Sequence, residues 1–157
     1  MKCLLVLLQL VLIFQIVLNA NLVSSAKKNL STVKQLSRPD TLLGGQRITS
    51  NNGNYYLTMQ TDGNLVHYSV ASFNGRGRDF PIFATGTNGK GAGPYRAVLR
   101  DDGFIVIYDS FNAQIYKSMS NGPGVGPYTL TVEDDGNLVV RDSQNFTVVA
   151  TGTVGAK

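Results

Sequence analysis

The sequence predicts an all-β protein made of three small antiparallel sheets around a pseudo-threefold axis. A hairpin pattern occurs three times, with Asp-Gly pairs that begin at Asp62, Asp102 and Asp135. Asp-Gly between two alternating runs is a strong hairpin signal, because glycine accepts the positive φ of a tight turn. A further β-rich segment follows each hairpin, and no stretch beyond the N-terminal apolar run shows sustained helical periodicity. Together these observations predict repeated β-units without a helical layer.

The repeats also predict how the units assemble. The hairpins are Leu57–Tyr68, Val98–Tyr108 and Leu130–Arg141, followed by the segments Pro81–Thr87, Gln114–Ser120 and Thr147–Thr153. We expect one more strand before each hairpin, such as Gln46–Thr49 in the first unit, which gives about four strands per unit. Units that cannot bury an apolar face alone must bury it against one another. The Asp-Gly pairs are 40 and 33 residues apart, so the first unit is longer, and a polar loop at 72–79 is predicted to hold its extra residues.

The two-residue period of a strand assigns one face of each hairpin to the core. The residues predicted to face the core are Leu57, Met59 and Leu65, then Leu99, Ile105 and Ile107, then Val132, Leu138 and Val140. His67 has the same parity and is predicted to be a packing residue, not a ligand. Phe83, Tyr116 and Val149 occupy equivalent places in the third strands and are also predicted to pack in the core.

The N-terminus has the pattern of a secretory signal. Lys2 precedes an apolar run from Cys3 to Leu18, which is shorter than the ~20 residues that span a bilayer. We predict a signal peptide over residues 1–26, cleaved after Ala26 or, alternatively, after Ala20. A lead-in segment then covers 27–39 and the folded domain 40–157, and the protein is predicted to be secreted to the extracellular space.

Composition argues against several kinds of chemistry. The one cysteine, Cys3, lies in the predicted signal, so the mature chain is expected to have no disulfide. A single histidine, His67, argues against a zinc site or a histidine-dependent triad, and we predict neither a metal nor a cofactor. The Asp-Gly aspartates fall on different predicted sheets, too dispersed to flank one glycosidic bond. The protein is therefore not predicted to be an enzyme.

Charge and sequons describe the predicted surface. The 14 Lys and Arg against 10 Asp and Glu give +4, and loss of Lys2 with the signal leaves +3. The basic residues are scattered, whereas a nucleic-acid-binding surface shows a basic stripe with interleaved aromatics, so no nucleic-acid partner is expected. Asn29 and Asn145 stand in Asn-X-Ser/Thr sequons and are candidate N-glycosylation sites.

The outer face of the first hairpin carries the most informative pattern. By the same period, the residues that point away from the core are Gln60, Asp62, Asn64, Val66 and Tyr68. They supply amide donors, carboxylate and amide acceptors, a hydroxyl and one apolar contact. A hexose needs this combination, because its hydroxyls both donate and accept and its ring has a small apolar face. The pattern therefore predicts a carbohydrate-binding site, the alternative being an ordinary half-exposed hairpin.

These residues resemble a known family. Gln60-x-Asp62-x-Asn64-x-Val66-x-Tyr68 matches the mannose-binding signature of the monocot (bulb-type) lectins at every position, and Ala-Thr-Gly-Thr is similar to the family too. The resemblance implies a β-prism II fold over residues 40–157, with three four-stranded antiparallel sheets and up to three sugar sites. It also implies that Asp62 and Asn64 bind the axial 2-hydroxyl of mannose. By the same resemblance Gln60 binds the 3-hydroxyl, Tyr68 the 4-hydroxyl, and Val66 packs on the sugar ring.

The other two units depart from this signature. The second unit has Arg100, Asp102, Phe104, Val106 and Tyr108 at the equivalent positions. We expect no mannose binding there, because Phe104 replaces the asparagine that would accept from the 2-hydroxyl. The third unit has Glu133, Asp135, Asn137, Val139 and Arg141. It keeps the Asp/Asn pair but changes both flanking contacts, so either weak binding or none is expected.

The resemblance implies a lectin for terminal mannose or high-mannose glycans, with mannose-containing glycoproteins as partners. It also implies a homodimer formed by exchange of the C-terminal strand at 148–153. The usual disulfide and core tryptophans of the family are absent, since the chain has no Trp. These losses, the altered units and the insertion with Arg76 and Arg78 favour an alternative, a lectin-fold interaction or effector protein with a protein or non-mannose target.

Overall fold

The computed structural model describes residues 32–33, 35–37, 41–73 and 76–153, with side chains over 41–70 and 78–153. The predicted signal peptide and Asn29 lie outside the described residues. The described chain forms strands joined by turns, and it contains no helix long and apolar enough to cross a membrane. The strands are β1 (Thr32–Val33), β2 (Gln35–Ser37), β3 (Thr41–Leu43), β4 (Arg47–Thr49), β5 (Tyr55–Met59), β6 (Leu65–Phe73), β7 (Arg76–Ala84), β8 (Arg96–Leu99), β9 (Ile105–Tyr108), β10 (Gln114–Lys117), β11 (Thr129–Val132), β12 (Leu138–Arg141) and β13 (Thr147–Ala150).

The strands form three sheets that correspond to the three predicted units. The first sheet has the order β1-β4-β5-β6-β7, the second β10-β9-β8-β3 and the third β13-β12-β11-β2. This is the β-prism II architecture that the repeats and the resemblance predicted. The first sheet differs in having five strands, because β1 adds to β4 in parallel through Thr32↔Arg47 and Val33↔Ile48.

The fourth strands of the second and third sheets do not come from the place that the sequence predicted. Only the first hairpin is preceded by its own strand, β4. The second sheet takes β3 and the third takes β2, both from the N-terminal part of the chain. The segments before β8 and β11 are rich in glycine and proline, and proline has no N–H to donate to a ladder. Strand β2, which pairs with β11, lies within the segment 27–39 that the sequence predicted as a lead-in.

The insertion in the first unit is a β-hairpin and not the predicted loop at 72–79. Strands β6 and β7 are each nine residues long, and their ladder continues to Phe73↔Arg76. Only residues 74–75 lie between the strands, and they are Asn-Gly, a pair typical of tight hairpin turns. The sequence interpretation was wrong because it weighed the glycines of this segment and not the strand-forming Val70 and Phe73.

The predicted core faces are confirmed. The nine hairpin residues assigned to the core are all buried, with at most 4% of their surface exposed. Of the third-strand residues, Val149 joins the core and Tyr116 packs against it, whereas Phe83 is only half-buried. The inner faces of all three sheets contribute to a single hydrophobic cluster. Apolar burial of this kind is the main favourable term in folding.

Each Asp-Gly turn closes against a tyrosine of a neighbouring unit. These tyrosines stand at the start of the hairpins and are at most 7% exposed. A Cβ added to the turn glycine would lie 2.6 to 2.9 Å from the tyrosine ring, closer than real Cβ contacts. The pairs are Gly63 with Tyr95, Gly103 with Tyr128, and Gly136 with Tyr55. The last pair connects the third unit back to the first, so the hairpins close a ring of contacts.

Two buried carboxylates fasten the loops of the second and third units. Asp109 accepts from the backbone N–H groups of Phe111, Ala113 and Ala92. Burial alone would raise the pKa of Asp109, but these backbone hydrogen bonds outweigh it and lower the pKa. Asp142 has the same role in the third unit, where the N–H of Val125 is the largest cause that lowers its pKa.

Replacement of Gly136 by alanine should destabilise the protein through the contact with Tyr55. Gly136 has φ +89° and a Cβ there would lie 2.6 Å from the Tyr55 ring, whereas Gly45 has φ +88° and nothing within 4 Å. Gly45→Ala should therefore cost only the backbone strain, about 1–2 kcal/mol. Gly136→Ala should cost roughly 1–3 kcal/mol more, from overpacking. Urea unfolding at neutral pH measures both, and equal losses would contradict a structural role for the ring contact.

His67 is a buried histidine without a polar partner. Its side chain is fully buried, and neither ring nitrogen has a hydrogen-bond partner among the described residues. Burial lowers the pKa of His67 from 6.5 to about 4. The unfolded chain therefore binds a proton at higher pH than the folded chain does, and stability falls as the pH drops from about 6.5 to about 4. The prediction of a packing role agrees with this environment.

The substitution His67→Ile should remove that acid sensitivity. Ile107 and Val140 occupy the equivalent position in the other two sheets, so a β-branched residue fits the backbone at this position of the repeat. We expect stability at pH 7 to rise or stay level, and up to about 3 kcal/mol less to be lost between pH 7 and pH 4. Urea midpoints at a series of pH values test this. Parallel pH profiles for the variant and the wild type would show that other groups cause the loss.

Candidate functional site

The structure brings the five predicted site residues together on the outer face of the first sheet. Gln60 follows β5, Asp62 lies in the Asp-Gly turn, Asn64 precedes β6, and Val66 and Tyr68 lie on β6. Four of them are partly or fully exposed, but Val66 is only 3% exposed. Val66 therefore forms the floor of the site and offers little surface of its own.

Asp62 and Asn64 form a paired acceptor and donor. Asp62 Oδ1 accepts from the backbone N–H of Asn64 at 3.0 Å, which leaves Oδ2 to accept from a ligand. Asn64 Oδ1 accepts from the Thr85 hydroxyl at 3.0 Å and from the Thr87 N–H at 3.3 Å. Because a backbone N–H requires an acceptor, the amide is oriented with its Nδ2 group free. Asn64 thus offers a donor, and the expectation that an asparagine here accepts from the sugar was wrong.

Gln60 and Tyr68 are joined before any ligand binds. Gln60 Nε2 donates to the Tyr68 hydroxyl at 2.9 Å, so the hydroxyl keeps its own proton to donate. Tyr68 stacks on Tyr56 with ring centroids 5.0 Å apart. Such stacking contributes to the position of a ring beyond simple burial. The site therefore has side chains held in place on both sides of Val66.

Tyr56 is held in turn by charged neighbours. Its hydroxyl donates to Asp79 Oδ2 at 2.7 Å, and the Arg47 guanidinium lies 5.2 Å from its ring centroid. Burial, together with the hydrogen bond to Asp79, raises the pKa of Tyr56 well above its usual value. Tyr56 therefore stays protonated and hydrogen-bonded to Asp79, which lies on β7.

Sequence reasoning missed the hydroxyls that orient the site. Thr85 and Thr87 belong to the phrase Ala-Thr-Gly-Thr, which was interpreted from the sequence as a repeated strand and as part of the resemblance, but not as part of the site. Thr87 also donates to the carbonyl of Gly63 at 2.7 Å, and Thr85 accepts from the N–H of Leu65 at 3.1 Å. The recurrence of the same phrase at 150–153 was the signal that could have revealed this role.

The third sheet keeps the oriented aspartate and asparagine pair of the first sheet but not the residues that flank it. Asn137 Oδ1 accepts from the Gly152 N–H at 3.0 Å and from Thr151, and Asp135 Oδ1 accepts from the Asn137 N–H at 2.9 Å. The flanking pair is different, because Glu133 and Arg141 form an ion pair of 2.7 Å. Val139 is 1% exposed, like its equivalent in the first sheet. The prediction of weak or absent sugar binding stays open.

The second sheet has neither the free aspartate oxygen and asparagine amide of the first sheet nor its glutamine and tyrosine hydrogen bond. Arg100 lies 2.9 Å from Asp102 Oδ2, the oxygen that is free in the first sheet. Phe104 provides no amide, and Lys117 Nζ lies 3.7 Å from its ring centroid. Val106 is fully buried, and the Tyr108 ring is covered by Arg96 at 4.9 Å. This geometry favours the prediction that the second site does not bind mannose.

The structure also describes the second candidate glycosylation site and the carboxylates that could be metal ligands. Asn145 is exposed in the turn between β12 and β13, where its φ is 65°. Among the residues with described positions, no group of three or more His, Cys, Asp or Glu could hold a metal ion.

The fold and the paired outer-face residues define a lectin, a carbohydrate-binding protein of the β-prism II class. No family model matches the chain. A monomeric monocot mannose-binding lectin from Gastrodia elata is 31% identical, with 78% of this chain and 99% of that chain covered at a TM-score of 0.62. The mannose-specific agglutinin of snowdrop (Galanthus nivalis) is also 31% identical, over 77% of this chain and 97% of that one, at a TM-score of 0.57.

Sequence comparison points in the same direction. Curculin-2 from Molineria latifolia is 42% identical over 72 residues, which are 46% of this chain and 39% of that relative. The matched segment thus spans well under half of that relative's length. The chain belongs to the monocot bulb-type mannose-binding lectin family.

The double substitution Glu133→Gln with Arg141→Tyr should build a complete site on the third sheet. It replaces the ion pair of that sheet by the residues that stand at Gln60 and Tyr68, beside an Asp135/Asn137 pair that is already oriented. We expect the number of mannose molecules bound per chain to rise by one, as measured by calorimetry at millimolar mannose. Adding Asn137→Ala to the double variant should remove the gain. An unchanged stoichiometry in a folded double variant would contradict the inferred roles.

Proposed function

We propose that this protein is a secreted lectin that recognises terminal mannose or high-mannose glycans through the first sheet. The observation that carries the proposal is the acceptor–donor pair of Asp62 Oδ2 and Asn64 Nδ2. A sugar hydroxyl both donates and accepts, so one hydroxyl placed between the two groups satisfies both. We assign the axial 2-hydroxyl of mannose to this position. Glucose carries that hydroxyl equatorially and would miss the pair.

Gln60 and Tyr68 complete the proposed site. With Gln60 Nε2 bound to the Tyr68 hydroxyl, the carbonyl oxygen of Gln60 accepts from the 3-hydroxyl and the Tyr68 hydroxyl donates to the 4-hydroxyl. Because these side chains are already held, little rotamer freedom is lost on binding. The snowdrop relative supports the ligand class, since its structure is a complex with methyl-α-D-mannoside. The function is binding alone, without catalysis.

A single site of this size binds a monosaccharide weakly. Four net hydrogen bonds of about 1 kcal/mol each correspond to a Kd near the millimolar range. Useful affinity for a glycan surface therefore needs several sites in one assembly. We propose a homodimer in which β13 pairs with β12 of the partner, in place of the intrachain pairing in this structure. The Gastrodia elata relative is described as monomeric, and a monomeric mass by light scattering would overturn the dimer proposal.

Secretion rests on the N-terminal pattern. The basic Lys2, the apolar run from Cys3 to Leu18 and the small residues after it support a cleaved signal over 1–26. We propose that mature chains begin after Ala26 and are released to the extracellular space, where mannose-bearing glycoproteins are the partners.

Asn64→Ala should abolish retention on mannan–agarose. The substitution removes the Nδ2 donor and leaves the Thr85 hydroxyl and the Thr87 backbone N–H without the acceptor that Asn64 Oδ1 provides. The matched control is Asn137→Ala, which removes the equivalent amide from the third sheet and should lower retention little. We expect at least about a tenfold loss of affinity for mannose in the first variant, since a polar contact to an oriented partner is lost.

Three outcomes would contradict the proposal. The wild-type protein could flow through without retention, or retention could survive Asn64→Ala in a folded variant. Alternatively, glucose could compete as well as mannose. Capture of a glycan-free protein that mannose does not displace would favour the alternative function of a lectin-fold interaction protein.

A further inference from the structure

The outer face of the second sheet carries a cationic aromatic surface, defined by Arg96, Arg100, Phe104, Tyr108 and Lys117. Arg96 begins β8, Tyr108 ends β9 and Lys117 ends β10, while Arg100 and Phe104 flank the turn between β8 and β9. All five side chains are partly or fully exposed. This face stands where the first sheet has its proposed mannose site.

Two of the three cations lie over aromatic rings, and the third, Arg100, is ion-paired with Asp102 at 2.9 Å. Arg96 Cζ lies 4.9 Å from the Tyr108 centroid, and Lys117 Nζ lies 3.7 Å from the Phe104 centroid. A cation over a ring is attracted to it but keeps its charge, so it can still bind an anion. Arg96 is further fixed by donation to the Asp109 carbonyl at 3.2 Å and to Asn112 Oδ1 at 2.6 Å. These contacts use part of the guanidinium, which has five N–H donors.

The other two sheets do not share this surface. Tyr56, Gln60 and Ala84 stand in the first sheet at the positions of Arg96, Arg100 and Lys117. The third sheet has Thr129, Glu133 and Ala150 there. At these three positions the second sheet therefore carries cationic side chains, whereas the other two sheets carry neutral or acidic ones.

We propose that the second sheet binds an anionic saccharide, one that carries sulfate or carboxylate groups. Lys117 contacts the anionic groups together with Arg100, which keeps N–H donors beyond its ion pair with Asp102, and Arg96 provides a third positive position. Arg96 begins β8 and Arg100 follows its end, so the two are four residues and roughly 13 Å apart, which suits a short oligosaccharide and not a single small anion. Exposed Leu43, which pairs with Arg96 on the same face, offers an apolar contact to a sugar ring.

The geometry favours a saccharide over an acidic peptide. A peptide that adds to a sheet gains its affinity from main-chain hydrogen bonds along a strand edge. The cationic aromatic surface lies instead on the sheet face, where backbone groups are already paired within the ladder of β8 and β9. Only side chains are presented there, and charge-assisted hydrogen bonds from arginine and lysine suit sulfate and carboxylate oxygens.

The test titrates the full protein with a heparin-derived hexasaccharide at low and moderate salt. We expect binding that weakens as salt rises, because the contacts are partly exposed ion pairs. Arg100→Gln with Lys117→Gln should lower the affinity by at least about tenfold, as expected when charge-assisted contacts are lost. The matched control is Arg47→Gln with Arg78→Gln, which removes two cations from the first sheet, one of which also lies over a tyrosine. It should change the affinity by less than about twofold.

The outcomes separate this proposal from the mannose proposal. Asn64→Ala should bind the hexasaccharide like the wild type, and free mannose should not compete for it. Absence of binding at low salt would overturn the proposal, as would equal losses in the first-sheet and second-sheet double variants, which would indicate attraction by net charge alone. Equal binding of a desulfated, carboxyl-reduced hexasaccharide would overturn the anionic specificity. Tighter binding of a hexaglutamate peptide would assign the surface to an acidic peptide instead.

Discussion

Tyr55, Tyr95 and Tyr128 each cover the Asp-Gly turn of another unit, and the three contacts close a ring. Packing contacts of this kind are important for this chain, because its only cysteine is Cys3 and it contains no tryptophan. Each hairpin alone would leave its apolar face in water, and isolated hairpins are marginal. The contacts between turns and tyrosines fix how the three faces meet, and the three tyrosines are themselves part of the common core. Glycine at the turns is thus required by packing as well as by φ.

Packing constrains the inner faces but leaves the outer faces free to differ. The inner positions repeat in all three sheets as apolar residues, with His67 as the exception. At the outer positions the same backbone carries an amide–hydroxyl pair in the first sheet and an ion pair between Glu133 and Arg141 in the third. In the second sheet, Arg100 pairs with Asp102. Because these side chains contribute little to the core, their exchange changes ligand chemistry with small effects on folding.

The sequence predicted those features that depend on short-range pattern. The Asp-Gly turns and the two-residue period were sufficient for the hairpins, their core faces and the clustering of Gln60 to Tyr68. Strands β2 and β3 were not predicted, because three-residue strands show no periodicity and their partner strands lie far along the chain. The long hairpin of β6 and β7 was read as a loop, since glycine content was weighed above the Asn-Gly turn signal.

The orientation of Asn64 could not be read from the hairpin that contains it. Thr85 and Thr87, which follow β7, donate to its side-chain carbonyl oxygen and leave its Nδ2 group free. Thr151 and Gly152 do the same for Asn137 in the third sheet. In the second sheet Ser118 still accepts from the Ile105 N–H, but Ser120 donates to Gly122, and Phe104 leaves no amide to orient.

The proposed sugar site is therefore a property of the whole sheet and not of one motif. Thr87 donates to the carbonyl of Gly63, the same glycine that lies against Tyr95. A substitution that loosens the third strand would thus disturb the turn, the ring of tyrosine contacts and the direction of the Asn64 amide together. The proposed mannose site and the closure of the fold share these contacts, so such a site can be lost at the outer residues alone but cannot be assembled without the third strand.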